Sequence, residues 1–278
     1  MNTTPTPSAF DLRPELKERH RRIWALGDYA AVADQVIPEL GRVVADAAGP
    51  SPGRRVLDVA AGSGNASLPA ARAGADVVAL DLTPELLAVG ERAAESEGLS
   101  VTWQQADAES LPFQDAEFDA VMSCVGVMFA PDHQRCADEM VRVLRPGGTL
   151  ALASWTPEGF VGRMFAAMKP YVPAPPAGFQ PPPLWGTEAH VRGLLGDRVE
   201  DVRATPARLR VGAFTDAGQF LDFFRARYGP TVAAYAGLAQ TPDRAAALDA
   251  DLLALARDHD LGAGQMEWEY LLVTARRR

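Results

Sequence analysis

The sequence has little that would support a disulfide framework, a metal centre or a membrane span. It contains two cysteines, Cys124 and Cys136, and four histidines among 278 residues. There is no CxxC pair or Cys/His cluster, so a structural metal site is not expected. No apolar run approaches the roughly 18 residues that a membrane-spanning helix needs. The two thiols are therefore expected to be free and buried, as is typical of proteins in a reducing cytoplasm.

Positive charge is also in short supply. Lys and Arg number 27 against 36 Asp and Glu, which gives a formal net charge of −9. A nucleic-acid partner requires a basic surface that neutralises phosphates, so this balance argues against one. The basic cluster at residues 17–22 is interrupted by Glu18 and is interpreted as a solvated helix face. Residues 1–9 lack the basic and apolar regions of a signal peptide, so we expect a loose tail on a cytoplasmic protein.

The most informative stretch is residues 54–65, RRVLDVAAGSGN, which joins a short apolar segment, a glycine loop and the start of an alanine-rich helix. Val56–Ala60 has the length and composition of a buried parallel strand. Gly62 and Gly64 allow a ligand to approach the backbone closely, and the helix start offers unpaired N–H groups. This combination is typical of a nucleotide-binding corner.

Strands and helices alternate through the rest of this half of the chain. The predicted strands are 56–60, 76–81, 101–105, 117–123 and 149–155, with helices at 65–73, 83–97 and from 131 onward. Because crossovers of helical length join successive strands, the connection rules give a doubly wound sheet. With two further strands predicted at 199–211 and 266–275, we expect a Rossmann-like α/β fold with a seven-stranded, mostly parallel sheet. Its ligand should lie at the carboxyl ends of the strands, beside the first one.

Helices are predicted on both sides of this core. Helices at 14–25 and 28–48, the second with a kink at Pro38, would form a lid that bends near Trp24, Asp28 and Tyr29. Residues 170–183 contain seven prolines, which excludes a regular element. Helices predicted between 187 and 258 would form a cap.

The glycine loop alone does not identify the ligand. A dinucleotide site usually has the pattern G-x-G-x-x-G, and Ser67 stands at its third glycine position. Asp81 ends the second strand, where an acid can bind the ribose hydroxyls of NAD or of any other adenosine ligand. These residues therefore leave an NAD(P)-dependent oxidoreductase open, although no recognisable Tyr-x-x-x-Lys pair accompanies them.

Five ordered motifs give the sequence a family resemblance. They are Val56–Gly64, Asp81, Gln105–Ala108, LPFQDAEFDAVMSC at 111–124, and Leu144–Gly148. Together they closely resemble the class I S-adenosylmethionine-dependent methyltransferases, in the branch of ubiquinone- and menaquinone-biosynthesis-type enzymes. The resemblance covers about Trp24 to Trp155. It implies S-adenosyl-L-methionine as the cofactor and methyl transfer to a small-molecule acceptor by in-line displacement.

The resemblance implies how the methionine part of the cofactor would be held. Gly62 and Gly64 would let the loop approach it, and Asp58 behind the loop would help to hold its ammonium group. Ser123 would contact the same group through its backbone. Ala60 stands where the family more often has glycine, and its methyl group fits there only if the backbone has a negative φ.

The adenosine part would be held by matching positions further along the chain. Asp81 would bind the ribose diol, and Leu82 would pack on the adenine. Asp107 would accept a hydrogen bond from the adenine amino group, and the Ala108 N–H would donate to a ring nitrogen. This acidic corner suits a cationic cofactor better than the doubly charged pyrophosphate of NAD.

Candidate catalytic groups are few. Methyl transfer from a sulfonium needs alignment and exclusion of water, and it needs a base only where the acceptor must lose a proton. His133, at the start of the helix after the fourth strand, is the first candidate for that base, and Tyr29 is another. His190 in the cap is an alternative. His20 and His259 lie in charged helices and are expected to be solvated.

The acceptor site is expected to lie beyond the fourth strand. Val127, Met128 and Phe129 would form one wall and Trp185 another. A moderately apolar small molecule, such as a phenol, a quinone precursor or a secondary metabolite, would suit them, with no metal ion required. The methylated atom, a homodimeric state and a non-catalytic cofactor-binding role are left open. The predicted organisation is a tail and lid in 1–50, the cofactor-binding core in 51–156, and a cap with the final strands in 157–278.

Overall fold

A seven-stranded sheet forms the centre of the molecule, in a computed structural model that describes residues 13–175 and 179–278. The strands lie in the order β3-β2-β1-β4-β5-β7-β6. The first five pair in parallel, and β7 pairs antiparallel with both β5 and β6. Their bounds are β1 Arg55–Val59, β2 Asp76–Asp81, β3 Val101–Gln105, β4 Phe118–Cys124, β5 Leu144–Trp155, β6 Val199–Val211 and β7 Met266–Arg277. The predicted Rossmann-like α/β fold is confirmed, and the predicted tail, residues 1–9, lies outside the described residues.

Helices connect and cover the strands. They are α1 Arg13–Trp24, α2 Tyr29–Gln35, α3 Pro38–Ala48, α4 Ser67–Arg72, α5 Pro84–Ser96, α6 His133–Val143, α7 Phe160–Met168, α8 Glu188–Leu195, α9 Ala217–Arg227, α10 Gly229–Gly237 and α11 Pro242–Asp258. No helix within 13–175 or 179–278 has both the length and the apolar composition that crossing a membrane requires.

The central strands are buried on both faces, as their continuous apolar runs predict. Leu57 on β1, Val121 on β4 and Leu150 on β5 are fully buried. β2 lies on one side of β1, and β4 lies on its other side. The direction in which successive strands are added therefore reverses at β1. In sheets of this kind, ligands bind beyond the carboxyl ends of the strands at that point.

The N-terminal region differs from the prediction of one kinked helix over 28–48. Pro38 begins a new helix, α3, because a proline has no N–H to donate and disfavours helical geometry at the residue before it. Ile37 accordingly leaves the helical region, with φ −127° and ψ 30°. Asp28 caps the short helix α2 by accepting a hydrogen bond from the Ala31 N–H at 3.1 Å.

A second difference concerns residues 145–148, whose sequence Arg-Pro-Gly-Gly predicts a turn before the fifth strand. Leu144 already pairs with Phe118 of β4, and pairing resumes at Thr149 opposite Ala120. The segment between them therefore bulges out of β5 instead of preceding it. Gly147 permits this with a φ of +74°.

Candidate active site

A cavity of about 90 Å³ lies at the carboxyl ends of the central strands, and we call it the strand-end cavity. The loops after β1, β2 and β4 form its floor, and α1 and α2 cover it. Its lining from the loops includes Ala60, Gly62, Asp81, Leu82, Asp107, Ala108, Val125, Gly126, Val127 and Phe129, and its lining from the two helices is Lys17, His20, Trp24 and Tyr29. The predicted lid thus lies over the predicted nucleotide corner.

Asp81 joins two loops at the edge of this cavity. Its two carboxylate oxygens accept hydrogen bonds from the backbone N–H groups of Gly62 and Thr83, each at 2.8 Å. The side chain is 8% exposed, and burial raises the pKa of Asp81 above its ordinary value. The sequence placed this acid at the end of β2, and the structure shows that it also holds the β1 loop in position.

The β1 loop is tightly folded against the loop that follows β4. A side chain on Gly126 would lie 2.2 Å from the carbonyl oxygen of Ala60, so the two backbones are in direct contact. Ala60 itself has a φ of +56°, so the condition under which its methyl group would fit without strain is not met. Val125 also has a positive φ, of +47°. Left-handed geometry costs a residue with a side chain about 1–2 kcal/mol, and both strained residues line the cavity.

Asp58 lies beneath the loop and is 1% exposed. Its Oδ2 accepts a hydrogen bond from the hydroxyl of Ser67 at 2.6 Å, whereas Oδ1 has no hydrogen-bond partner in the described chain. Burial raises the pKa of Asp58 to about 7. Ser67, which occupies the third glycine position of a dinucleotide pattern, is therefore used to orient this carboxylate.

Three predicted cofactor residues do not line the strand-end cavity: Asp58, described above, Gly64 and Ser123. Gly64 faces the ring of Trp103, since a side chain there would lie 2.6 Å from the Trp103 Cη2 atom. Ser123 is fully buried, and its hydroxyl donates to the Val59 carbonyl at 2.7 Å and accepts from the Val127 N–H at 3.0 Å. Both residues shape the loops from behind, and neither belongs to the cavity wall.

Lys17 ties the lid to the β3 side of the cavity. Its ammonium group contacts the Asp107 carboxylate and lies 2.8 Å from Oε2 of Glu109. The other oxygen of Asp107 accepts a hydrogen bond from the Glu109 N–H at 2.9 Å. Burial alone would lower the pKa of Lys17, but the hydrogen bonds to the two carboxylates raise it above its ordinary value.

The first candidate base, His133, is not at the cavity. It is fully buried, with Nδ1 2.9 Å from Nε2 of His190 and its ring centroid 5.6 Å from that of Trp185. Burial, together with His190, lowers the pKa of His133 to about 4. His133, Trp185 and Met128 do not line either of the two cavities described here. Their predicted roles at the acceptor site therefore gain no support from their positions.

Tyr29 does line the cavity and lies close to the glycine loop. A Cβ atom on Gly62 would lie 3.4 Å from the ring of Tyr29. Burial raises the pKa of the Tyr29 hydroxyl above its ordinary value, so this phenol stays protonated at neutral pH. It can orient a ligand by donating a hydrogen bond, but it is a poor base.

A second and larger cavity, of about 590 Å³, adjoins the first, and we call it the apolar cavity. It lies between α1, α7, the proline-rich segment and α10. Prolines, aliphatic side chains and aromatic rings dominate its lining, which includes Leu16, Ile23, Phe165, Met168, Val172, Pro173, Pro182 and Leu184. His20, Trp24 and Phe129 line both cavities.

Aromatic rings pack together where the two cavities meet. The Trp24 ring meets those of Tyr29, Phe129 and Tyr228 edge-on, with centroid distances of 5.4, 4.7 and 5.7 Å. The chain bends at Gly27, shortly after Trp24 at the end of α1. Gly27 has a φ of +72°, and a side chain there would lie 2.4 Å from the Arg227 carbonyl oxygen. The lid is therefore anchored to the region around α9 as well as to the sheet.

No group of three or more His, Cys, Asp or Glu side chains in residues 13–175 and 179–278 is arranged to hold a metal ion. Cys124 and Cys136 are both free and buried.

Comparisons with known proteins identify the family. Residues 57–152 match a family described as "Methyltransferase domain". The chain is 52% identical over 276 residues to the uncharacterized protein Rv1405c of Mycobacterium tuberculosis, over 99% of this chain and 100% of that protein. A demethylmenaquinone methyltransferase of Thermus thermophilus is 43% identical over 84 residues, which are 30% of this chain and 38% of that protein. The chain belongs to the class I S-adenosylmethionine-dependent methyltransferases.

A comparison of structures agrees at the level of the fold. The YcgJ protein from Bacillus subtilis superposes with a TM-score of 0.58 and 19% identity, over 86% of this methyltransferase and 98% of that chain. At this identity the likeness concerns the fold alone.

The cofactor of this methyltransferase is S-adenosyl-L-methionine, and the residues around the strand-end cavity suit its chemistry. Behind the loop, Oδ1 of Asp58 is a buried acceptor without a hydrogen-bond partner in the described chain, which suits the ammonium group of the methionine part. Asp81, Leu82 and Ala108 line the cavity where the ribose and adenine are expected. When bound, the cofactor supplies a methyl group on a sulfonium that is already an activated leaving group.

The position of His20 differs from the prediction. It was expected to be solvated, yet its ring is partly buried and lines both cavities. The helical spacing of His20 and Trp24 was the available signal, because residues four apart lie on one face of a helix.

Proposed function

We propose that this methyltransferase transfers the methyl group of S-adenosylmethionine to a small apolar acceptor bound in the apolar cavity. One observation carries the proposal: the cofactor cavity and the apolar cavity meet at His20, Trp24 and Phe129. Methyl transfer requires donor and acceptor to be aligned in one water-excluding space. A shared wall between the two cavities supports this arrangement.

The lining of the apolar cavity supports the chemical class of the acceptor. Its volume of about 590 Å³ is in the range of small-molecule sites. Among residues 13–175 and 179–278, the charged side chains on its wall are Arg19 and Lys169, and no carboxylate lines it. An apolar acceptor that is neutral or anionic is therefore favoured over a cationic one.

For the cofactor we assign the residues that line the strand-end cavity. Asp81 binds the ribose hydroxyls, Leu82 packs on the adenine, and Asp107 with Ala108 binds its edge. Asp58 acts from beneath the loop. The alternative ligand, NAD(P), is disfavoured because its pyrophosphate would face the buried carboxylates of Asp58 and Asp81.

Calorimetric titration with S-adenosylhomocysteine tests the cofactor assignment. Asp81→Asn should weaken binding at least tenfold, because an amide cannot accept from both backbone N–H groups and the ribose. Asp76→Asn is the matched control, since Asp76 is exposed at the other end of β2 and lies 3.8 Å from its partner Arg55. If NADH binds tightly and S-adenosylhomocysteine does not, the proposal is wrong.

A second experiment separates the enzyme from a non-catalytic cofactor-binding protein. Apolar phenols and amines are incubated with S-adenosylmethionine, and methylated products are detected by mass spectrometry. Ala166→Trp places a large side chain on the wall of the apolar cavity. It should abolish product formation and leave S-adenosylhomocysteine affinity unchanged. Cell fractionation and size-exclusion chromatography test the cytoplasmic location and the homodimer.

A further inference from the structure

The geometry points to His20 as the group that accepts the proton of the acceptor during methyl transfer. This inference rests on the proposed function and extends it to the chemical class of the acceptor. The nucleophilic atom of that acceptor would carry a removable proton, as in an O–H or N–H compound.

The position of His20 is the first argument. Three residues line both cavities, and His20 alone among them can take up a proton near neutral pH. The others, Trp24 and Phe129, offer hydrocarbon rings and one indole N–H donor. An acceptor that extends from the apolar cavity toward the cofactor must pass this imidazole.

The surroundings of His20 leave its ring nitrogens available to a ligand. Phe179 packs edge-on against the ring, with a centroid distance of 5.9 Å and an interplanar angle of 89°. This contact fixes the ring through carbon atoms. In the part of the chain that the structure describes, no residue hydrogen-bonds to either ring nitrogen, in contrast to the paired His133 and His190.

Burial and a neighbouring positive charge favour the neutral form of His20, which has the lone pair that a base needs. Burial lowers the pKa of His20, and the neighbouring positive charge of Arg19 lowers it further. Other ionisable groups face it across the two cavities. They are Lys17, Asp81 and Asp107 on the strand-end cavity, where Lys17 and Asp107 pair with each other, and Lys169 on the apolar cavity.

The other candidates are less suited to the task. The phenol of Tyr29 lines the strand-end cavity, but burial raises its pKa and keeps its proton in place. His133 is fully buried against His190 and reaches neither cavity. An imidazole that is neutral and unpaired, at the junction itself, is the better base.

The proton transfer balances with the methyl transfer. A lone pair on the acceptor oxygen or nitrogen forms the bond to the methyl carbon, and the carbon–sulfur bond breaks with its electron pair left on sulfur. The proton of the acceptor moves to a ring nitrogen of His20. The positive charge of the sulfonium is thereby replaced by that of the imidazolium, and the net charge of the site is unchanged.

The test uses the full chain, S-adenosylmethionine and 2-naphthol as the probe acceptor. His20→Gln keeps a polar side chain of similar length that cannot accept the proton. It should lower kcat/KM at pH 7 by about 10²-fold or more and should convert a plateauing pH profile into one that keeps rising with hydroxide. His259→Gln, at the residue that follows α11, is the matched control and should behave like the unaltered protein.

Two measurements do not depend on turnover. In the complex with S-adenosylhomocysteine, the ¹³C-labelled imidazole of His20 should be deprotonated at pH 7, and adding 2-naphthol should shift its resonance. His20→Gln should bind 2-naphthol about tenfold more weakly while S-adenosylhomocysteine affinity stays within twofold.

An unchanged pH profile in His20→Gln, or a His20 resonance that 2-naphthol does not move, would overturn the assignment. Loss of S-adenosylhomocysteine binding by the unaltered protein would instead overturn the proposed function itself.

Discussion

Lys17 contacts the carboxylate of Asp107, a residue ninety positions further along the chain, and so fastens helix α1 to the β3 side of the strand-end cavity. Because the other Asp107 oxygen is bonded to the Glu109 N–H, both oxygens are engaged. An adenine amino group that binds Asp107 would have to share this carboxylate with Lys17. The lid and the cofactor therefore compete for one carboxylate.

Replacing Lys17 should consequently strengthen cofactor binding. Lys17→Met frees an oxygen of Asp107 for the adenine amino group and removes the positive charge beside it. For a pair whose side chains are 20% and 28% exposed, about 1 kcal/mol is a reasonable effect, or roughly fivefold in Kd. Calorimetric titration with S-adenosylhomocysteine measures it.

Arg22→Met on the same helix provides the control, since Arg22 is 72% exposed and pairs with Glu18. Its Kd should equal that of the unaltered protein. Weaker binding in Lys17→Met would mean that Lys17 remains at the site when the cofactor is bound.

Gly64 offers a test of why the loop contains glycine. Gly64 and Gly53 have nearly equal φ values, +85° and +83°, so an alanine at either position bears the same backbone strain of about 1 kcal/mol. At Gly64 the new Cβ would also meet the Trp103 ring at 2.6 Å, whereas nothing lies within 4 Å at Gly53. Overpacking of this kind adds about 1–3 kcal/mol.

Urea denaturation should therefore separate the two variants. Gly53→Ala should lower the free energy of unfolding by about 1 kcal/mol and Gly64→Ala by about 2–4 kcal/mol. Equal losses would show that Trp103 moves aside without cost. If Gly64→Ala kept full stability but lost cofactor affinity, the role implied by the family resemblance would be correct.

The buried pair His133 and His190 predicts a loss of stability in acid. An unfolded chain protonates His133 below about pH 6.5, whereas the folded protein does so only near pH 4 because burial lowers the pKa. The unfolded state thus binds more protons between these values, and stability falls as the pH falls through this window. This difference in the pKa of His133 between the folded and unfolded states corresponds to a loss of about 3 kcal/mol in the free energy of unfolding.

His133→Gln removes this component, so its stability relative to the unaltered protein should improve from pH 7.5 to pH 4.5. Asp58 acts in the opposite sense, since burial raises its pKa to about 7 and favours the folded state in acid. The difference between the two proteins is therefore the quantity to measure, by urea denaturation at each pH. A difference that does not change with pH contradicts the prediction.

Local patterns were sufficient for the sheet and for much of the cofactor cavity. The glycine loop after β1, Asp81 at the end of β2 and the Asp107–Ala108 pair after β3 all lie at the carboxyl ends of strands predicted from the sequence. Parallel strands bring their carboxyl ends to one edge of the sheet, so these residues meet there without further information.

What the sequence did not reveal depends on distant partners. His20 looks solvated in its own helix, and its burial comes from packing that includes Phe179, far along the chain. The left-handed backbone of Ala60 follows from close contact with Gly126, and the need for Gly64 follows from Trp103. Such contacts leave no periodic signal in the segments that make them.

The position of β7 between β5 and β6 has a consequence for synthesis on the ribosome. β6, residues 199–211, joins the sheet only by pairing with β7, residues 266–277. It therefore cannot pair until about 55 further residues have been translated, which takes several seconds at about 5–20 residues per second. During that interval the backbone of β6 has no neighbouring strand, and the edge of β5 that β7 will pair with is also unpaired. The nascent chain is accordingly at its most aggregation-prone just before the last strand arrives, which makes this stretch the natural place for a chaperone to act.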